Sequence, residues 1–158
     1  MPTKILNTRL TKLSPQDLFL ITLWGEARGE PIEGQIAVAH VIQNRVTSGR
    51  WRETHHDVLG RGAQFSALWP QLSGGLNYQE VLDLAGVLDR GELLSEMQER
   101  LIQQLRWVVT GVMERQILDN TYGSAHYFAP HIVKPSWATS PGVRMAKYGR
   151  HEFWAGVP

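Results

Sequence analysis

The chain contains no cysteine, which excludes a disulfide framework and any zinc site built on thiolates. No stretch approaches the apolar length needed to cross a bilayer. The opening MPTKILNTRLTKLSPQ carries Lys4, Arg9 and Lys12 but lacks the apolar core and small-residue cleavage site of a secretory signal. Charge of one sign is also missing. The net value is +1, so there is no electrostatic case for nucleic acid. Internal repeats and low-complexity tracts are absent too. These absences predict a soluble chain made in the cytoplasm, without stable membrane insertion. Any target beyond the membrane then requires a separate delivery device.

What is present suits one domain: 158 residues, 42% of them apolar, enough to bury a single core. Residues 1–13 read as a short leader that packs loosely, and residues 14–158 as the domain. Ser14-Pro15-Gln16-Asp17 has the composition of a helix start, with serine at the cap, proline at the first position and an acid in the first turn. The run Leu18, Phe19, Leu20, Ile21, Leu23, Trp24 is apolar on nearly every side, so this helix belongs at the centre. Gly29 and Pro31 end it. Helical spacing recurs over 31–47, 77–88 and 95–114. Between the second and third helices, 50–76 reads as irregular, with a short helical turn near 57–59. The tail from Asn120 reads as mainly non-helical, with short strands at 126–128 and 151–154. The expected class is mainly α with long ordered loops and room for a small β-hairpin. Loops of that length in a compact domain are usually functional.

Chemistry concentrates in Trp24-Gly25-Glu26-Ala27-Arg28-Gly29-Glu30-Pro31. A carboxyl at Glu26, directly after a buried apolar run, would lose hydration. Desolvation would raise its pKa and let it deliver a proton. The alternative is a solvated glutamate or a partner for Arg28. Gly25 would leave space for a bulky ligand. Glu30 suits a helix-start acid, whereas a catalytic pair would draw on Glu30 or Glu33. Six tryptophans build either core or a flat surface for stacking. Two histidine groups, His55-His56-Asp57 and His126, His131, His151-Glu152, raise a zinc-dependent amidase or peptidase as a rival, but no H-E-x-x-H spacing accompanies them.

Residues 18–46, LFLITLWGEARGEPIEGQIAVAHVIQNRV, resemble the opening of the cell wall hydrolase family typified by the spore cortex-lytic enzyme SleB. Further blocks follow in order: Gln64-Phe65-Ser66 with Trp69; Asp119, Thr121 and Gly123 to Phe128; Pro135-Ser136-Trp137; and Gly149-Arg150-His151-Glu152-Phe153-Trp154. Ser124, Phe128 and Trp154 depart from the residues usual at their places. The resemblance implies a lysozyme-like or lytic-transglycosylase-like helical domain that cleaves peptidoglycan between N-acetylmuramic acid and N-acetylglucosamine. It puts the catalytic glutamate on Glu26. Gln64, Phe65, Ser66 and Trp69 would line the sugar groove, although Phe65 and Trp69 serve equally as core. His126 and Tyr127 would lie near the acid, with core packing the alternative for Tyr127. No cofactor and no metal are implied. The expected product is an anhydro-muramic end, as from a lytic transglycosylase. A hydrolytic muramidase with the same acid is the alternative, and a non-catalytic wall-binding virion protein is a further one. A phage endolysin, monomeric and released by a holin-type permeabilising partner, would fit this setting.

Overall fold

A computed structural model of the chain describes residues 6–51, 54–60, 65–69 and 76–158. Helix α1 (Thr8–Thr11) leads into α2 (Pro15–Ala27), whose cap Ser14 accepts the amide of Asp17. Such a cap is worth about 1 kcal/mol. Leu18 to Trp24 and Ala27 are all buried. An all-round apolar helix has no face to offer water, so α2 is the axis of the fold. It touches α3 (Ile32–Thr47), α4 (His55–Leu59), α5 (Leu76–Arg90), α6 (Glu96–Met113) and the 3-10 turn Ser66–Leu68.

The helix starts follow local chemistry. Ser95 and Gln98 form a reciprocal capping box at α6. Thr54 caps α4, which begins at His55, earlier than the turn expected near 57–59. The leader is not loose over its described part. Asn7 caps α1, Leu6, Leu10 and Leu13 lie in the core, and His56 Nε2 is 2.9 Å from the Leu13 carbonyl oxygen. Only Leu10 lies within the helix, which packs on α5, and the residues flanking it on either side carry Leu6 and Leu13 into the core.

The tail forms a three-stranded antiparallel sheet of order β1-β3-β2, from β1 (His126–Phe128), β2 (Val143–Tyr148) and β3 (His151–Ala155). Strand β2 is an addition to the sequence reading. Its Arg144 and Lys147 are exposed, and so are Val143 and Met145, so no residue of this edge strand is fully buried. It is joined to β3 by the two-residue turn Gly149-Arg150, with Tyr148 opposite His151. The end of α3 holds the sheet. Asn44 Nδ2 donates to Asp119 Oδ2 and to the Ser124 carbonyl, both at 2.9 Å, and Arg45 Nε donates to the Ala125 carbonyl at 2.6 Å. Asp119 in turn accepts the amides of Thr121 and Gly123. Thus Asn44-Arg45 and the 119–125 turn aim β1 at the end of α2.

Candidate active site

Glu26 occupies the last turn of α2 and faces a cavity of about 620 Å³. Its two oxygens have different partners. Oε1 accepts the Ala67 amide at 2.8 Å and the Ser66 hydroxyl at 3.4 Å. Oε2 accepts the Tyr127 hydroxyl at 2.9 Å. All three donors are neutral. Burial raises the carboxyl above its ordinary 4.5, and the hydrogen bonds from Ala67, Tyr127 and Ser66 oppose that rise. Tyr127 is pushed well above its own ordinary value by burial and by Glu26, so its hydroxyl keeps its proton. The arrangement can hold a proton on Glu26 and release it toward the cavity.

Gly25 lines the cavity and has a second role beside the one expected. A Cβ there would lie 2.5 Å from Ala67 Cβ and 3.0 Å from Val81 Cγ2. The glycine therefore also admits the 3-10 turn, and that close approach brings the Ala67 amide to Glu26.

Glu30 also lines the cavity, but its oxygens are committed. Oε1 accepts Arg150 Nε at 3.1 Å, and Oε2 accepts the Arg150 amide at 3.2 Å. His151 Nδ1 stands 3.5 Å from Oε1. Glu30 lies one residue outside α3, whose cap is Pro31, and its side chain is 3% exposed. The helix-start reading is thus replaced by a buried clamp on the β2–β3 turn. Gly149 has φ +54, and a Cβ there would fall on Glu30 Oε2. Only glycine suits both the backbone and the neighbour.

Of the residues expected at the site, Glu26, Ser66 and Tyr127 converge on the cavity. Phe65 and Trp69 do not. They are buried in the core, as the alternative reading had it. Gln64 lies outside the described residues. His126 is not beside the acid. Neighbouring residues of a strand point to opposite faces, so when Tyr127 faces Glu26 its neighbour turns away. The His126 ring lies between Trp51 and Trp137, at 5.6 and 5.0 Å. Burial, then Arg45 and Arg50, lower its pKa to about 4. The cavity wall missed in the sequence includes Phe128, His131, Ile132, Val133, Pro135, Trp137, Arg150 and His151. Two of the ordered tail blocks contain Pro135, Trp137, Arg150 and His151, and their order was the available signal.

The histidine groups are absorbed otherwise. His55 Nε2 lies 3.0 Å from Gln43 Oε1, and Asp57 pairs with the cap Thr54. Among the described residues no three His, Asp or Glu side chains come together as metal ligands do, so the zinc rival has no such cluster there to rest on.

The cell wall hydrolase family model matches residues 29–154 of the chain. The chain belongs to the cell wall hydrolase family. The matched stretch opens at Gly29, three residues after Glu26. Spore cortex-lytic enzymes of Oceanobacillus iheyensis and Bacillus cereus are each 48% identical over 46 residues, which is 29% of this chain and 17% and 18% of theirs. The chain therefore matches less than a fifth of the length of these curated relatives. Among solved structures, the catalytic domain of the germination-specific lytic transglycosylase SleB from Bacillus anthracis superimposes with a TM-score of 0.61 at 26% identity, over 90% of this chain and 96% of that one. The catalytic domain of Bacillus cereus SleB gives 0.58 at 27%, over 93% and 96%. The mainly α cell wall hydrolase fold with its small sheet is thus the fold of the SleB catalytic domains, as the motif resemblance implied.

Proposed function

We propose that this cell wall hydrolase domain cleaves the glycan strand of peptidoglycan between N-acetylmuramic acid and N-acetylglucosamine as a lytic transglycosylase, with Glu26 as acid and base. The observation that carries the reading is a carboxyl at the cavity wall, desolvated and held only by neutral donors. Protonated Glu26 delivers its proton to the bridging oxygen as the C1–O bond breaks through an oxocarbenium-like state. The carboxylate so formed takes the proton of the muramic 6-hydroxyl while O6 bonds to C1. A 1,6-anhydro ring results, Glu26 is protonated again, and no water is consumed. Nucleophile and electrophile share one sugar, which lowers the entropic part of the barrier.

The hydrogen bonds suggest which oxygen carries the proton. The Ala67 amide can only donate, so Oε1 is best kept as an acceptor. The Tyr127 hydroxyl can reverse its role, so Oε2 can be protonated without stranding a donor. The engagement of Glu30 by Arg150 favours transglycosylation over hydrolysis by a carboxylate pair. Similarity to the SleB catalytic domain supports the same choice.

Mass spectrometry of the fragments released from purified sacculi tests this reading. Anhydro-muramic ends are expected. Reducing muramic ends would replace the proposal with a hydrolytic muramidase, and free stem peptides would overturn glycan cleavage altogether. In this setting the domain acts on the wall after release from the cytoplasm. Should the chain derive from a phage, its delivery falls to a holin-type partner.

A further inference from the structure

We infer that Arg150 is a specificity residue that reads a carboxylate on the peptide side arm of the substrate, so that the domain prefers glycan whose peptide arms carry free carboxylates to glycan whose arms are amidated. This inference rests on the glycan-cleaving reading of the same cavity.

Arg150 sits at the turn between β2 and β3 and lines the cavity that contains Glu26. Its Nε and its own amide are both taken by Glu30. A buried carboxylate therefore fixes the guanidinium plane while 63% of the side chain stays exposed. Nη2 lies over Gly29, 3.3 Å from where a Cβ would stand. The Glu30 contacts use Nε, leaving the Nη edge for a ligand. An arginine whose Nε edge is anchored presents its outer N–H groups in a defined fork, the geometry that suits a carboxylate.

The neighbouring wall has matching chemistry. Ile132 and Val133 line the cavity and are 76% and 52% exposed. Aliphatic side chains offer little to a sugar hydroxyl but suit the methyl groups of lactyl and alanyl units. Muramic acid carries such an arm on its lactyl ether, next to the bond that Glu26 would cleave, and the peptide on that arm ends in free carboxylates. Such an arm carries both methyl groups and carboxylates, and the cavity wall offers both aliphatic side chains and a cation. A strand whose arm carboxylates are converted to amides keeps the arm but has no charge to offer Arg150.

The test compares two substrates for the whole chain: peptide-bearing glycan strands, and the same strands with their carboxylates converted to amides by carbodiimide coupling to ammonia. Wild type is expected to show kcat/KM roughly tenfold higher on the strands with free carboxylates, the order for a charge-assisted contact partly open to water. Arg150→Gln should bring the ratio of the two values close to one, and Arg150→Lys should restore part of it. Thermal melting of each variant reports whether Glu30 still holds the turn. A wild-type ratio near one overturns the proposal without touching the cleavage reading. So does a ratio that Arg150→Gln leaves unchanged while both rates fall, since that marks Arg150 as a structural anchor only. If wild type cleaves neither substrate, the glycan-cleaving reading fails and this inference with it.

Discussion

The last turn of α2 and the turn that follows it each place a glutamate on the same cavity wall, yet the two carboxyls have different surroundings. Glu26 meets an amide, a serine and a tyrosine, all neutral. Glu30 meets a guanidinium and an imidazole. Burial without a counter-charge favours the protonated form of Glu26, whereas the Glu30 oxygens are engaged by Arg150 as an anchor. Two acids of one short motif thereby acquire separate duties, one able to move a proton and one able to hold a hairpin.

The comparison can be broken most sharply at Glu26. Glu26→Gln keeps the shape and removes the proton, and wall-clearing activity should fall by roughly 10²–10⁴-fold, measured as turbidity loss of purified sacculi. Clearing at the wild-type rate would end the assignment. Glu30→Gln should have its main effect on stability. It weakens the clamp on Arg150 and should cost about 1–3 kcal/mol in denaturant unfolding, with a smaller loss of activity than Glu26→Gln. If Glu30→Gln silences the enzyme at unchanged stability, the two roles are wrongly divided.

Tyr127→Phe should sharpen the picture with a smaller effect, about tenfold on kcat as one hydrogen bond to the acid is lost. That bond lowers the Glu26 pKa, so removing it moves the pKa further up. A general acid is lost as pH rises through its pKa, hence the alkaline limb of the pH–rate profile should shift to higher pH. A shift to lower pH would contradict the geometry.

The smallest effect concerns stability against pH. Glu26 has its folded pKa raised above the ordinary 4.5. Its contribution is fully present below about 4.5 and is lost as pH rises through the folded value. Glu26→Gln is free of that loss. It should match wild type in acid and exceed it at neutral pH, by about 1.4 kcal/mol for each pKa unit of displacement. Equal stabilities at neutral pH would mean the carboxyl is not desolvated.

Much of this was legible in the residues. The apolar run 18–24 made α2 central, Ser14-Pro15 and Ser95 marked helix starts, and the ordered motif blocks pointed to the family and to Glu26. Strand β2 was not legible, since an edge strand with Arg144 and Lys147 outward has no buried alternation to display. The described part of the leader, residues 6–13, packs more firmly than expected, because three leucines in a short segment leave their destination open. His126 and Tyr127 are adjacent in one motif, and no linear pattern says which of two neighbours in a strand faces the acid. Phe65 and Trp69 raise the same difficulty: a large aromatic side chain suits a groove or a core equally.

Local rules of helix capping and periodicity, with the order of the motifs, determined the main helices, the family and the candidate Glu26, because each depends on residues near one another along the chain. The tertiary structure alone decided that Tyr127 is 101 residues away in sequence and 2.9 Å away in space from Glu26. It likewise decided that the Glu30 side chain is engaged by Arg150, 120 residues further along the chain. A carboxyl's protonation depends on which charges and dipoles surround it, and those neighbours are assembled only when β1 and the β2–β3 turn close over the end of α2.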